Sequence, residues 1–292
     1  VLKNPFKKSL AARRPGEQFV LWQSGRVRAE VKEESPAFYT RLFNLPVSPL
    51  ALAGPGRIYT VQGAAGGDGS STVAVNLAAL LALSSPERVV LLDLEGYGAV
   101  RSRLGLPAGE CPVSILDWEG IDGPGGMARG LVNHSSGVMV VPGVAHYDQV
   151  EKVTPDLVFK ILALLKENYD FVVLDCPPVG ICNNTWAAAL AADAVLTVFR
   201  PDRASLDLLQ ENSGFMIRLG CQDRVFGVLN QAGIPGGIRP GDLEGRTGAV
   251  ITGILPYSAG VAEANNRRQL VVSARPRDDF TRAMHLLAGS IV

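Results

Sequence analysis

Apolar and polar residues alternate along the chain in two rhythms, and the change falls near residue 56. From residue 57 onward, short apolar runs recur at 58–62, 89–94, 138–141, 171–174, 194–199, 225–229 and 250–255. Their length and β-branched content are those of strands covered on both faces. Between them, residues 71–83, 155–168, 185–192 and 204–219 carry apolar positions at helical spacing. A last helix over 278–289 places Phe280, Ala283, Met284 and Leu287 on one core-facing stripe. Strand and helix in this order predict an α/β fold: a mostly parallel sheet with helices on both faces and a small N-terminal extension. Such sheets take ligands beyond the carboxyl ends of their strands. The loops after 58–62, 89–94 and 171–174 are therefore where chemistry is to be sought.

Residues 1–56 read as a separate arm and 57–292 as one domain. In the arm, two short β-type runs, 19–22 and 27–31, flank Ser24-Gly25 as a hairpin, and 46–56 is a Pro-, Ala- and Gly-rich linker. Apolar residues make up 47% of the chain and charged residues 19%, which supports a large core and excludes global disorder. Formal charge balances at 28 against 28, so nothing in the total draws the chain to nucleic acid or an anionic membrane. The balance conceals an uneven distribution: residues 1–56 hold nine Lys and Arg against four Glu, leaving the remainder acidic. Lys3, Lys7, Lys8, Arg13 and Arg14 open the chain with no acidic residue among them. That segment reads either as a solvated tail or as an electrostatic contact with a membrane surface or an acidic partner.

Cys111, Cys176, Cys182 and Cys221 form no C-x-x-C pair, and the three histidines are far apart. Zinc, an iron–sulfur cluster and a disulfide framework are not expected, and a reducing cytoplasm fits. The chain begins with Val, with no secretory signal and no apolar run long enough to span a bilayer.

The loop after 58–62 concentrates the candidate chemistry. It reads Gly63-Ala64-Ala65-Gly66-Gly67-Asp68-Gly69-Ser70-Ser71-Thr72, followed by Val73-Ala74-Val75-Asn76-Leu77-Ala78. Glycines at a strand-to-helix turn let backbone N–H groups surround an anion at a helix N-terminus, where the helix dipole adds to the attraction. Tight turns also need glycine for steric reasons alone. The buried strand before the loop and the hydroxyls and Asn-Leu-Ala after it make the phosphate reading specific.

This segment resembles the deviant Walker A motif of the MinD/ParA family of P-loop ATPases, K-G-G-x-G-K-[ST]-T followed by x-x-x-N-L-A. It is most similar to the CpaE/TadZ branch, associated with pilus assembly and polar localisation, in which Ser stands at the P-loop Lys position. Ser70 matches that substitution. The resemblance implies a phosphate cradle of Gly66, Gly67, Asp68, Gly69, Ser70, Ser71 and Thr72, with Ser71 as the Mg²⁺-binding hydroxyl. Val90-Leu91-Leu92-Asp93-Leu94-Glu95 resembles the family's L-L-x-D-x-D motif. Catalytic roles are thereby implied for Asp93 and Glu95, the second acid helping to position the attacking water; a surface glutamate is the plain alternative for Glu95. The stretch from Tyr169 to Pro178 resembles Walker B, with Asp175 reaching Mg²⁺ through water. Gly227-Val228-Leu229-Asn230-Gln231 resembles the segment whose Asn reads the adenine edge, although Asn230 could equally close a turn. The likeness covers about four fifths of the chain.

Two departures bear on chemistry. Ala65 stands at the family's first lysine, which crosses to a partner subunit, and Ser70 at the second. Phosphoryl transfer in this fold depends on positive charge around the phosphates. Asp68 stands where a small apolar residue is usual. In a loop of ordinary shape, its carboxylate would face the triphosphate at about 5 Å and cost on the order of 3 kcal/mol per charge pair. Weak ATP and Mg²⁺ binding with little or no hydrolysis is the expectation. The resemblance implies a localisation or assembly factor working through protein partners, with a homodimer formed on the nucleotide face. A MinD-type membrane-positioning ATPase would need the basic arm to replace the basic amphipathic C-terminal helix, which the sequence lacks. It would lie peripherally at the inner membrane face. A ParA-like DNA-segregation protein is disfavoured by the acidic balance of 57–292.

Overall fold

The computed structural model describes residues 51–95, 99–106, 113–180, 182–243, 247 and 249–292. The basic arm and the 19–31 hairpin lie outside the described residues. Strands and helices alternate from β1 (Arg57–Gly63) and α1 (Ser70–Ser84) through β2 (Val89–Asp93), α2 (Ala99–Leu104), β3 (Val132–Asn133) and β4 (Val138–Val141). They continue with α3 (Pro155–Asn168), β5 (Phe171–Cys176), α4 (Asn183–Ala191), β6 (Ala194–Phe199), α5 (Arg203–Arg218) and β7 (Val225–Ala232). The chain closes with β8 (Val250–Pro256), α6 (Ala259–Asn266), α7 (Val271–Ala274) and α8 (Asp279–Ile291).

The strands form one sheet in the order β3-β4-β2-β5-β1-β6-β7-β8, parallel except for the β3–β4 pair. β1 lies in the middle, with β5 on one side and β6 on the other. Its run is buried at every position after Arg57, which is why the sequence there reads as continuous rather than alternating. The chain leaves β1 toward β2 on one flank, whereas β6, β7 and β8 build out the other. The order therefore reverses beside β1, and a ligand crevice opens at the carboxyl end of this strand.

α1 is buried along nearly its whole length, Ser70 to Ala82, packed between the sheet and the helices α2, α7 and α8. A helix covered all round needs no polar face, which explains its run of Val, Leu and Ala. The stripe on α8 behaves as the spacing predicts, with Phe280, Met284 and Leu287 buried; Ala283 is half-buried. The last residues of the segment read as a linker already belong to the body. Gly56 N–H donates to Lys166 O at 3.0 Å, and a Cβ at Gly54 or Gly56 would collide with the backbone at the end of α3.

Asp193, the charge that interrupts the most apolar stretch of the sequence, closes the opposite end of β1. Its carboxylate accepts from Ile58 N at 2.7 Å and from the Lys166 ammonium at 2.8 Å. Lys166 is buried while Asp193 is part-exposed, so the pair holds one desolvated cation. Asp193→Ala leaves that cation and a backbone N–H without their acceptor. The expected loss is about 1–2 kcal/mol after allowing for solvent at the aspartate, read as a melting temperature lowered by roughly 2–8 °C.

Candidate phosphate-loop site

α3, α5 and α8 each begin with a side-chain cap: Thr154, Asp202 and Asp278 accept from Leu157 N, Ser205 N and Phe280 N. α1 begins differently. It opens on Gly69, in the left-handed region at φ 97°, with no side-chain cap. Gly67 is also left-handed at φ 89°. At Gly69 a Cβ would lie 2.3 Å from Asn230 Nδ2, so glycine is required by contact as well as by conformation. An uncapped helix start under a glycine loop leaves N–H groups directed at the crevice.

The loop is held from both flanks. On the β6 side, Ala64 N donates to Val198 O at 2.7 Å and Asn212 Nδ2 donates to Ala64 O at 3.1 Å. On the β7 side, Asn230 Nδ2 donates to Asp68 O at 2.8 Å, while Asn230 Oδ1 accepts from Gln231 N. Asn230 thus braces the loop backbone, and it also lines a cleft of about 240 Å³ together with Gly67, Gly69, Thr72, Arg103 and Tyr257. The cleft thus runs from the glycine loop and the first turn of α1 to the end of β7.

Asp68 corrects the expectation of a carboxylate facing the phosphates. Its side chain turns under the loop and is only 3% exposed. Oδ2 accepts from Ala65 N at 2.7 Å and from the Ser205 hydroxyl at 2.9 Å. Ser205 Oγ in turn accepts from Arg200 N, so the loop is tied to the start of α5. Burial raises the Asp68 pKa, against the Ala65 N–H and the Ser205 hydroxyl, which favour the ionised form. The aspartate is a brace inside the loop, and the repulsion calculated for a phosphate-facing carboxylate does not apply.

Beneath the loop, the carboxyl ends of β2 and β5 bring Asp93 and Asp175 side by side in register. Both are buried, at 1% and 0% exposure. Asp93 Oδ1 accepts from Glu95 N at 3.1 Å; Asp93 Oδ2 and both oxygens of Asp175 have no hydrogen-bond partner. The Ser71 hydroxyl and the Val100 N–H nonetheless stand close enough to favour the ionised forms of Asp175 and Asp93. Burial, then the Glu95 charge, pushes Asp93 up to about 7. Burial, then the Asp93 charge, drives Asp175 well above the carboxylate range. Unpartnered buried acid oxygens are costly, and a divalent cation relieves that cost. Among the described residues no group of three or more His, Cys, Asp and Glu is placed to hold a metal ion by itself. A cation here would draw its remaining ligands from water and phosphate, the usual habit of Mg²⁺. The residues fit the Mg²⁺ and phosphate that the resemblance implies: Ser71 and Asp175 would hold the cation, which would offset charge on the phosphates.

Glu95 is half-buried and lines a second, mainly apolar cavity of about 260 Å³ with Asp93, Tyr147 and Cys182. Ser70 is buried at the head of α1. Larger clefts of about 370 Å³ and 560 Å³ lie at the strand starts and beside His134, and no residue of the glycine loop lines either. Two arginines near the site are marked by no sequence motif. Both come from α2: Arg101, whose charge pulls the Asp93 pKa down, and Arg103, which does the same for Asp175. Ser205 and Asn212 likewise became visible only through the fold. Trp118 and Trp186 are packing residues, buried with their indole N–H groups donated to Gly130 O and Val179 O.

A central parallel strand, a glycine loop running into an uncapped helix, and two acids on the neighbouring strand ends define a P-loop NTPase-type fold. The AAA_31 family model, described as an AAA domain, matches residues 56–212. The chain belongs to this family, within the MinD/ParA group of P-loop ATPases. The chromosome-partitioning ATPase Soj of Thermus thermophilus is 31% identical over 182 residues, 56% of this chain and 64% of the relative. Among solved structures, a ParA family ATPase from Chlorobium tepidum superposes with a TM-score of 0.72 at 18% identity, covering 82% of this chain and 99% of that one. The septum site-determining protein MinD of Pyrococcus horikoshii, complexed with Mg-ADP, gives 0.71 at 20% identity, covering 81% and 96%.

Proposed function

We propose that this protein is a localisation or assembly factor of the CpaE/TadZ type that binds Mg²⁺-nucleotide weakly and hydrolyses it little or not at all. The observation that carries the reading is the pair of buried, unpartnered acids, Asp93 and Asp175, under a fully formed phosphate loop with Ala65 and Ser70 at the lysine positions. A loop kept only as a turn would gain from filling that acid pocket with apolar side chains. Retained acids favour a cation, and the cation favours a phosphate ligand. Without lysine, the transition-state charge is poorly compensated, so turnover suffers more than binding. Binding then serves as a conformational signal to protein partners.

Equilibrium dialysis of ATP with the purified chain, with and without Mg²⁺, tests this. Binding with Kd on the order of 100 μM that requires Mg²⁺, with phosphate release no faster than in buffer, is expected. Rapid Mg²⁺-dependent hydrolysis would sink the reading, as would no binding in either condition.

The relatives favour a second reading, a DNA-partitioning ATPase, since one is named a chromosome-partitioning ATPase. It requires non-specific DNA binding that weakens steeply with salt. A mobility shift at low salt in the presence of Mg-ATP distinguishes the two: no shift is expected for the CpaE/TadZ type. Among the described residues no helix is long and apolar enough to cross a membrane. Membrane contact through the basic arm is tested by vesicle sedimentation with and without residues 1–14.

A further inference from the structure

We propose that Arg103 supplies, from within the same chain, the positive charge on the nucleotide's phosphate groups that the phosphate loop itself does not provide. The inference rests on the nucleotide-binding reading above and adds the group that makes it electrostatically workable.

Arg103 sits on α2, the short helix that follows the Asp93 strand. Its Nε donates to Thr72 Oγ1 at 3.1 Å and its Nη1 to Ala99 O at 3.3 Å. The guanidinium therefore lies against the first turn of α1, where the loop N–H groups converge. It is the one Lys, Arg or His among the described residues lining the cleft that holds Gly67, Gly69, Thr72 and Asn230. It also lines the neighbouring cleft beside His134, and so forms the wall between the two.

Three features set this arginine apart from one that merely anchors a helix. First, among the described residues it makes no ion pair with any carboxylate, although it is only half-exposed. Its companion Arg101 likewise makes no ion pair, but it is buried, donates to Gly143 O at 2.9 Å and does not line this cleft. Second, Arg103 Nη2 carries no hydrogen bond among the described residues, so one edge of the planar fork remains for a phosphate oxygen. Third, the hydroxyl it holds belongs to Thr72, the residue of α1 immediately after Ser71, so the contact is with the helix start itself. Thr72 supports the same geometry. Its Oγ1 accepts from Arg103 and, at 3.3 Å, from Asn265 Nδ2, which occupies both lone pairs and leaves the hydroxyl proton to be donated. A fixed cation and a hydroxyl donor thus meet beside the uncapped helix start. An anion is the ligand class that satisfies both.

The test is titration of the purified chain with a fluorescent ATP analogue and Mg²⁺, comparing the parent, Arg103→Gln, Arg103→Lys and Arg103→Gln/Ser70→Lys. Glutamine keeps a hydrogen bond to Thr72 and removes the charge. Binding about tenfold weaker in Arg103→Gln is expected, with Arg103→Lys within about threefold of the parent and the double variant regaining affinity. Unlabelled inorganic triphosphate should displace the analogue from the parent and much less well from Arg103→Gln. Affinity within about twofold in Arg103→Gln would overturn the proposal. So would equal losses in the glutamine and lysine variants, which would assign the side chain to packing against α1. A parent chain that binds nothing while a single Ser70→Lys variant binds would overturn the nucleotide reading itself, and this inference with it.

Discussion

Ser70→Lys is expected to tighten Mg-ATP binding by roughly 10–100-fold, and adding Asp68→Val to it is expected to reverse part of the gain. The first effect follows from the position. Ser70 is the first residue of α1, immediately after the left-handed Gly69, so a lysine there rises from the helix start into the ring of loop N–H groups. One charge-assisted contact to a phosphate in a partly dry site contributes about 1.5–3 kcal/mol, which is the range stated. The second effect separates the structure from simple charge counting. A phosphate-facing Asp68 would repel the ligand, and Val would then help. The carboxylate instead holds Ala65 N and the Ser205 hydroxyl below the loop. Valine leaves both donors buried without an acceptor, at a cost of about 2 kcal/mol. The Asp68→Val single variant should melt roughly 4–8 °C lower and bind ATP no better than the parent. Calorimetric titration of the four proteins decides it: tighter binding in Asp68→Val would show that the brace matters less than the charge.

Asp175→Asn should remove the dependence of nucleotide binding on Mg²⁺ and, in the free protein, raise stability at neutral pH. Two carboxylates in register, both buried, cannot comfortably be ionised together. The sign of the pH effect follows from Asp93, whose folded pKa of about 7 lies above its ordinary 3.8. A raised carboxylate pKa gives stability that is complete below the unfolded value and is lost as pH rises through the folded one. The nucleotide-free chain should therefore melt higher near pH 5.5 than near pH 7.5. Asparagine at 175 removes the second buried carboxyl, whose own pKa burial and the Asp93 charge hold well above the ordinary range, and so flattens that slope. The gain at pH 7.5 is on the order of 1–2 kcal/mol, or roughly 2–8 °C. Thermal melts across that pH range, with Mg-ATP titrations at pH 7.5, check both halves. A parent whose stability rises steadily toward pH 7.5 would contradict the buried acid pair.

The same residues show how far local sequence reaches. The strands 58–62, 89–94 and 171–174 fall within a residue or two of β1, β2 and β5, because a strand covered on both faces leaves an unbroken apolar run. β7 runs three residues further than its apolar core, because Ala232 pairs with Pro256 beyond a register irregularity that holds Asn230 and the left-handed Gln231. The edge strand β3 and the helices α2, α6 and α7 are too short to leave a period. α2 was for that reason hidden, and with it Arg101 and Arg103.

The sequence by itself determined the alternation of elements and the glycine turn that joins β1 to α1. Each depends on residues close together in the chain, through burial period, glycine conformation and helix start. Tertiary structure alone decided which way those side chains point. Asp68 turns inward because Ser205, 137 residues on, offers a hydroxyl there. Asn230 braces the loop across 162 residues, and Arg103 reaches Thr72 across 31. A hydrogen bond needs its partner within about 3 Å, and only the packing of β6, β7 and α2 around β1 sets those distances.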